Sequence, residues 1–343
     1  MRKEPSIPIG CTPERILVIR AGAIGDLILT LPVLRALRKR FPGAYLEVMG
    51  HPHTLALIEG QRVLDAVSSI DQREVAQLCL PDAPITEKLR RTFGAFDLIV
   101  AYTADVKGPL IINLQRTGTC RVIAWPPFPT KRIHEADHLL DALQSLGITS
   151  SDHAPGLFPT SLDRVFAAQF FDTHSLCSSR PVLALHPGSG SASKCWPADH
   201  FARIADWAIQ SLSAAVLLIT GPADEKAGIQ MLQGMRERPL RVSDSTLPQL
   251  AALLQRCSAF IGNDSGITHL AAAVGAPTGA LFGPTDPRIW GPRGKTVRVL
   301  HHEMDCSPCD TLNRKRCPHR TCMEAIGVQE VAELVLALLD TTD

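Results

Sequence analysis

The 343-residue sequence lacks a surplus of charge of either sign, since 35 Lys and Arg residues oppose 34 Asp and Glu. Nucleic-acid binding needs clustered positive charge, so this balance gives no reason to expect a nucleic-acid partner. No stretch reaches the roughly 18 consecutive apolar residues of a membrane span. The opening MRKEPSIPIG also lacks the apolar segment of a signal peptide. We therefore expect a cytoplasmic protein, with peripheral contact to the inner face of the cytoplasmic membrane left open.

The cysteines do not form the pattern of a secreted disulfide framework. Six of the ten are scattered singly, which favours reduced thiols. These six are Cys11, Cys79, Cys120, Cys177, Cys195 and Cys257. The other four, Cys306, Cys309, Cys317 and Cys322, are dense enough in sequence to hold a structural zinc ion, with free thiols or one redox-sensitive pair as the alternative.

The apolar pattern indicates two α/β domains. A content of 45% hydrophobic and 20% charged residues is typical of a soluble globular protein, and the length suits about two domains. Strand-like runs are at 15–20, 45–49, 96–102 and 121–125, and helical runs are at 26–40, 106–116 and 134–146. The alternation then restarts, with strands at 182–186, 215–220, 258–262 and 278–282 and helices at 198–211, 223–235, 247–256 and 267–274. Each series predicts a doubly wound parallel sheet.

These patterns also predict the domain boundaries. Residues 149–180 have a looser, polar texture with one helix-like piece near 162–171, and we interpret them as a linker. We place one Rossmann-like domain at 1–170 and a second at 171–327. A final amphipathic helix at 328–340, within a segment 328–343, is expected to pack back on the first domain. Ligands of such folds bind at the carboxyl ends of the strands, so we expect a site in the cleft between the domains.

The most informative stretch is Gly262-Asn-Asp-Ser-Gly-Ile-Thr-His-Leu270, which follows a strand-like run and opens a helix-like one. The first turn of a helix has unpaired N–H groups and the positive end of the macrodipole, so an anion binds favourably there. A phosphorylated ligand is predicted. The alternative is that Asp264 or Ser265 only caps the helix.

A second loop, His186-Pro-Gly-Ser-Gly-Ser-Ala-Ser-Lys194, follows another strand. It matches a dinucleotide fingerprint poorly, and no P-loop motif is present anywhere in the sequence. Ser189 and Ser191 could donate hydrogen bonds to a diphosphate while Lys194 neutralises a departing group. A solvated polar loop is the alternative.

Two further patterns have ordinary explanations. His134-Glu135-Ala-Asp-His138 matches the zinc motif H-E-x-x-H, but residues 142–151 offer no third ligand, so we interpret it as the polar start of a helix. Basic residues close the first long helix, where they complement its dipole. This cluster of Arg35, Arg38, Lys39 and Arg40, and the pair Arg90 and Arg91, could also meet anionic lipid or a phosphorylated acceptor.

Three segments together resemble glycosyltransferase family 9, the bacterial heptosyltransferases of lipopolysaccharide core synthesis. The first segment is Arg20-x4-Gly25-Asp26, and the second is HPGS at 186–189 with Lys194-x-Trp-Pro. The third is Asp264-Ser-Gly-x2-His-Leu, continuing to FGPTDP at 282–287. The resemblance extends from about residue 15 to 325. It implies the GT-B architecture, with the acceptor on the N-terminal domain and the nucleotide-sugar donor on the C-terminal one.

The resemblance also implies roles for individual residues. The family resembles inverting, metal-independent transferases with no cofactor, in which Asp26 would be the general base and Lys194 would balance leaving-group charge. The alternative for Asp26 is a helix N-cap. Donor binding is implied for Ser189, Ser191, Glu225, Asp264, Ser265, Gly266 and His269. Acceptor binding is implied for Arg20 and Gly25.

The implied function is transfer of a sugar, with heptose from ADP-heptose as the leading candidate, to a lipopolysaccharide core or related glycan. A GT-B nucleotide-sugar epimerase would use the same two domains but need no acceptor. A non-catalytic protein that binds sugar nucleotides or lipopolysaccharide is the other alternative.

Overall fold

The computed structural model of this chain describes residues 12–176, 180–309, 311–317 and 319–340. The predictions made for MRKEPSIPIG, Cys11 and Cys177 lie outside these described residues. The chain divides into two compact units, and the boundary lies between His153 and Ala154. Within the described residues, no helix combines the length and the apolar character needed to cross a lipid bilayer.

The first unit alternates strands with helices. Its strands are β1 (Arg15–Arg20), β2 (Tyr45–Gly50), β3 (Ala66–Ser69), β4 (Leu98–Tyr102) and β5 (Arg121–Trp125). Its helices are α1 (Ile24–Arg40), α2 (Pro52–Leu55), α3 (Arg73–Leu78), α4 (Glu87–Phe93), α5 (Pro109–Arg116) and α6 (Glu135–Asp141), followed by a 3-10 turn at Gln144–Leu146.

The five strands of this unit form one parallel sheet in the order β3-β2-β1-β4-β5. The central strand β1 is buried from Ile16 onward, because parallel sheets of this kind are covered on both faces. Strand order reverses between β1 and β4, which is where ligands bind in open α/β sheets. The turn from β1 into α1 lies at this carboxyl edge.

The second unit repeats the plan. Its strands are β6 (Val182–His186), β7 (Ala215–Ile219), β8 (Leu240–Val242), β9 (Ala259–Asn263), β10 (Thr278–Phe282) and β11 (Val297–His301). Its helices are α7 (Ser161–Thr173), α8 (Ala198–Leu212), α9 (Glu225–Gly234), α10 (Leu247–Gln255), α11 (Gly266–Ala273), α12 (Pro287–Trp290), α13 (Thr311–Arg316), α14 (Thr321–Glu324) and α15 (Val328–Leu339). A 3-10 turn spans Ala192–Lys194.

The second sheet is also parallel, in the order β11-β10-β9-β6-β7-β8. Its switch point lies between β6 and β9, whose last residues are His186 and Asn263. Below them, Leu183, Leu185 and Ile261 belong to the buried core. The two adjacent strands therefore present polar residues at the carboxyl edge of an apolar sheet.

Helix α7 belongs to the second unit and is not a linker helix. Its buried residues Ala167 and Phe171 lie on the side that contacts α10, and the Arg256 guanidinium carbon stands 4.7 Å from the centre of the Phe171 ring. The boundary predicted after residue 170 falls inside this helix, whereas the observed boundary lies before it. The sequence misled because polar residues dominate the segment around the short buried face of α7.

The C-terminal helix α15 packs within the second unit. Val331, Val335 and Leu338 are part of its core, and the helix contacts α8 and the strands β9, β10 and β11. This buried face is therefore occupied within the second unit. The expected return of the helix to the first domain stays a prediction.

The predicted strands and helices are all present, with ends that differ by a few residues. Three strands were not predicted: β3, β8 and β11. All three lie at an edge of their sheet. The short helices α2, α3, α4, α12, α13 and α14 were not predicted either.

Candidate active site

Asp26 lies in the first turn of α1, immediately after the central strand of the first sheet. Ala23 is the N-cap of this helix, and Asp26 Oδ2 accepts a hydrogen bond from the Ala23 N–H at 2.7 Å. Asp26 is thus the third residue of the helix rather than its N-cap, which corrects the alternative considered from the sequence. Its side chain is 21% exposed. One carboxylate oxygen fixes the helix start, and the other faces Arg20.

Arg20 is the last residue of β1 and is 2% exposed. Its guanidinium contacts Asp26 Oδ1 at 3.4 Å and Glu135 Oε1 at 3.0 Å, and it donates to the Pro127 carbonyl oxygen at 3.1 Å. Acceptor binding by Arg20 and by the neighbouring Gly25 stays a prediction. The contacts observed for the Arg20 guanidinium are all with groups of the protein itself.

Glu135 was not predicted as a site residue. It is the first residue of α6, and none of its surface is exposed. Burial raises the pKa of its carboxyl to about 7, the positive charge of Arg20 opposes this rise, and the negative charge of Asp26 adds to it. Two carboxylates therefore share one buried guanidinium at the carboxyl edge of the first sheet.

The histidines around Glu135 have structural partners, as expected from the helix interpretation of H-E-x-x-H. His134 is the N-cap of α6, and its Nδ1 accepts from the Ala136 N–H at 3.1 Å. His138 Nε2 lies 2.9 Å from the Pro126 carbonyl oxygen. The helix start is confirmed, although the sequence did not indicate the contact between Glu135 and Arg20.

In the second unit, Asp264 and Lys194 meet at the start of α11. Lys194 Nζ lies 2.6 Å from Asp264 Oδ2, and the Thr285 hydroxyl donates to the same oxygen at 2.6 Å. Ser265 is the N-cap of α11, with its hydroxyl accepting from the Thr268 N–H. Gly266 is the first residue of the helix. An ammonium group and a helix N-terminus thus lie side by side, which is an arrangement suited to an anion.

The loop that carries Lys194 is fixed to β9 by the Asn263 side chain. Its amide nitrogen donates to the carbonyl oxygens of Pro187 and Gly188, and its oxygen accepts from the Trp196 N–H at 2.9 Å. Asn263 has no exposed surface. Because both ends of the loop bond to one side chain, the position of the loop is set by the strand beside it.

The serine hydroxyls of this loop already have protein partners. Ser189 Oγ donates to the Asp264 carbonyl oxygen at 2.6 Å, and Ser191 Oγ lies 2.8 Å from Ser193 Oγ. His269 is buried within α11. Contacts of Ser189, Ser191 and His269 with a donor stay predictions.

His186, at the end of β6, connects two neighbouring segments. Its Nε2 lies 3.0 Å from Asp224 Oδ2, and its Nδ1 lies 3.3 Å from Ser265 Oγ. A Cβ at Gly188 would lie 2.2 Å from Asp224 Oδ1, so glycine is needed for this approach. Glu225, the predicted ribose contact, is the exposed first residue of α9. The structure therefore brings Asp224, and not Glu225, to this histidine.

The cysteine-rich segment gives no support for a metal centre. Cys322 is buried, whereas Cys306 is exposed, and burial raises the pKa of the Cys322 thiol. Throughout 12–176, 180–309, 311–317 and 319–340, no group of three or more His, Cys, Asp and Glu side chains is arranged to hold an ion. Zinc and free thiols therefore stay the two alternatives for these cysteines.

Each unit has its polar residues at the carboxyl edge of one parallel sheet, and together the units define the GT-B class of two-domain α/β proteins. Solved structures agree with this class. A glycosyl transferase family 9 protein from Veillonella parvula superposes with a TM-score of 0.82, at 22% identity, covering 96% of this chain and 98% of that one. The Escherichia coli ADP-heptose LPS heptosyltransferase II gives 0.75 at 21% identity, covering 96% and 99%.

Sequence comparison identifies the family. The model of glycosyltransferase family 9 (heptosyltransferase) matches residues 139–318. Lipopolysaccharide heptosyltransferase 2 of Escherichia coli is 32% identical over 315 residues, which cover 83% of this chain and 87% of that protein. The chain belongs to glycosyltransferase family 9 and is a glycosyltransferase. This assignment favours the transferase over the epimerase and binding-protein alternatives.

Proposed function

We propose that this glycosyltransferase moves heptose from ADP-heptose to a lipopolysaccharide core or a related glycan, with inversion and without a metal. The relative from Escherichia coli is a lipopolysaccharide heptosyltransferase, and the name of the similar solved structure includes ADP-heptose. The observation that carries the proposal is Asp26, a partly exposed carboxylate held in one orientation by the Ala23 N–H and Arg20.

Asp26 would act as the general base in the first unit, which we propose to bind the acceptor. The acceptor oxygen would form a bond to the anomeric carbon as the bond from that carbon to the diphosphate oxygen breaks. The proton of the acceptor hydroxyl would pass to the Asp26 carboxylate. A single displacement of this kind inverts the configuration at the anomeric carbon.

The second unit would bind the donor through Lys194 and the first turn of α11. Negative charge grows on the diphosphate as it departs, and a cation with oriented N–H groups stabilises that charge. Lys194 contacts Asp264, the residue before the N-cap Ser265, and would supply this stabilisation. The same groups would make a divalent metal unnecessary.

We expect Asp26→Asn to lower kcat by about a hundredfold or more, because the amide cannot accept the proton. The assay measures ADP released from ADP-heptose in the presence of heptose-deficient lipopolysaccharide. The affinity for ADP should stay within about twofold, since Asp26 lies outside the donor unit. The matched control is Asp71→Asn, which removes an exposed carboxylate of the same unit and should not change the rate.

A wild-type rate for Asp26→Asn would contradict the role of this residue. Two measurements on the wild-type enzyme test the remaining parts of the mechanism. The rate should be unchanged by EDTA, and NMR of the product should show the anomeric configuration opposite to that of the donor. Loss of activity in EDTA would contradict metal independence. A product with the same anomeric configuration as the donor would contradict inversion.

We also propose that the enzyme works in the cytoplasm at the inner face of the membrane. Two exposed cations, Lys39 and Arg40, close α1 and could meet anionic headgroups. Arg38 has internal partners instead, since it bonds to Asp65 and three carbonyl oxygens. Flotation with vesicles containing anionic lipid should recover wild-type protein and recover less of the Lys39→Gln, Arg40→Gln double variant. Equal recovery of the two would refute this contact.

A further inference from the structure

The buried Arg20 links two carboxylates that come from different helices. Its guanidinium lies 3.4 Å from Asp26 Oδ1 on α1 and 3.0 Å from Glu135 Oε1 on α6. The Arg20 and Glu135 side chains are 1% and 0% exposed. At this burial solvent screens the charges of Arg20 and Glu135 little, whereas the Asp26 side chain is 21% exposed. A change of charge on Glu135 therefore acts on Asp26 through the shared guanidinium.

The Glu135 carboxylate accepts a hydrogen bond from Arg20 through Oε1. Among the residues that the structure describes, Glu135 Oε2 and Arg20 Nε have no hydrogen-bond partner. A buried carboxylate that is only partly satisfied is costly in its charged form. The charge on Glu135 is therefore held by its interaction with Arg20 and is sensitive to the charge on Asp26.

The other polar groups around this cluster have partners elsewhere. Tyr102 on β4 lies below Arg20, with the guanidinium carbon 5.8 Å from its ring centre, and its hydroxyl donates to the Leu139 carbonyl oxygen. On α6, His134 caps the helix and His138 contacts the Pro126 carbonyl oxygen. Of the charged groups that the structure describes, Arg20 contacts Asp26 directly, and Glu135 acts on it through the same guanidinium.

We propose that Glu135 is a positioning residue that controls how tightly Arg20 holds the Asp26 carboxylate. This inference rests on the proposed role of Asp26 as general base. With Glu135 ionised, the Arg20 guanidinium is shared between two carboxylates. Arg20 then holds Asp26 less tightly, and the Asp26 carboxylate is freer to accept the proton of the acceptor hydroxyl.

The charge on Glu135 then makes the transfer rate depend on pH. Burial raises the pKa of Glu135 to about 7, so lowering the pH through this value protonates it. The Arg20 guanidinium is then left to Asp26 alone, holds that carboxylate more tightly, and competes with the proton of the acceptor hydroxyl. At saturating substrates, kcat of the wild-type enzyme should rise by about three- to tenfold as the pH increases through 7.

Glu135→Gln tests this inference because it keeps the size and one oxygen acceptor but removes the charge. The kcat of this variant should lack the rise through pH 7, which we call the step. At every pH it should stay at the value that the wild type has at low pH. The conservative Glu135→Asp keeps the charge and should keep the step. Asp65→Asn is the matched control, since it breaks the Arg38 ion pair of the same unit and should lower stability while leaving the step in place.

A step that persists in Glu135→Gln, or a Glu135→Gln rate at pH 8 equal to that of the wild type, would overturn the inference. If Glu135→Gln does not fold, the wild-type enzyme alone provides the test. A wild-type kcat that does not change between pH 6 and 8 would also overturn the inference. If the wild-type enzyme transfers sugar but its kcat does not rise through pH 7, the role of Glu135 is wrong and the proposed function stands. Complete absence of transfer by the wild type would remove the proposed function, and this inference with it.

Discussion

The position of the Asp26 side chain depends on the nearby Gly22. A Cβ at Gly22 would lie 2.6 Å from Asp26 Cβ and 2.7 Å from Asp26 Oδ2. Real Cβ contacts of this length do not occur, and both contacted atoms belong to a side chain held by the Ala23 N–H. An alanine at position 22 must therefore push the carboxylate out of place.

We expect Gly22→Ala to lower kcat by about ten- to a hundredfold, because a misplaced general base loses the alignment on which proton transfer depends. ADP affinity should be unchanged. Gly43→Ala is the matched control, since a Cβ there would meet no heavy atom within 4 Å. Steady-state kinetics of the two variants make the comparison, and equal rates for both would show that the position of Asp26 tolerates the shift.

Some residues of the candidate site can be predicted from the sequence, and others cannot. Asp26, Lys194 and Asp264 lie in recognisable turns after strands, and the pairing of Lys194 with Asp264 places two of them together. Glu135 could not be found in this way. It is 115 residues from Arg20 in sequence, and a glutamate at the start of a helix normally indicates only a favourable dipole interaction.

At the scale of whole elements, the sequence revealed every central strand but, of the four edge strands, only β5. Central strands of a parallel sheet are buried on both faces and form continuous apolar runs. The missed strands β3, β8 and β11 read AVSS, LRV and VRVLH, and each has residues that are only partly buried or exposed. Edge strands are commonly short and polar, so hydrophobic patterning does not detect them.

The loop between β6 and α8 shows the same limit. Its motif predicted a phosphate-binding segment, but its position depends on Asn263, which is 67 residues from Trp196 and 76 from Pro187 in sequence. A side chain that bonds to both ends of a loop leaves no local pattern in that loop. The spacing of the motif therefore suggested a ligand class, which stays a prediction, and did not indicate what holds the loop.

At the scale of the whole molecule, the two units have separate sheets and separate sets of polar residues. If the second unit binds the donor nucleotide, ADP should slow amide hydrogen exchange in peptides covering 186–194 and 263–270. Peptides covering 15–40 should exchange at their original rate. UDP and GDP should protect less than ADP at equal concentration.

Hydrogen exchange monitored by mass spectrometry provides this measurement on the full chain. Protection confined to the first unit would reverse the assigned roles of the two units. Protection by all three nucleotides to the same extent would leave the position of the donor site intact but refute the preference for adenine. A ligand that binds only the folded state also raises the melting temperature, which gives an independent check of affinity.

The ion pair between Lys194 and Asp264 affects how well dissolved anions can compete for the Lys194 ammonium group. The ammonium group is already neutralised by a carboxylate that the fold holds beside it. A chloride ion must displace this carboxylate and gains little in exchange. A diphosphate carries more charge than chloride and has several oxygens with which to meet both Lys194 and the N–H groups of α11. We therefore expect chloride to compete poorly with the donor at this site.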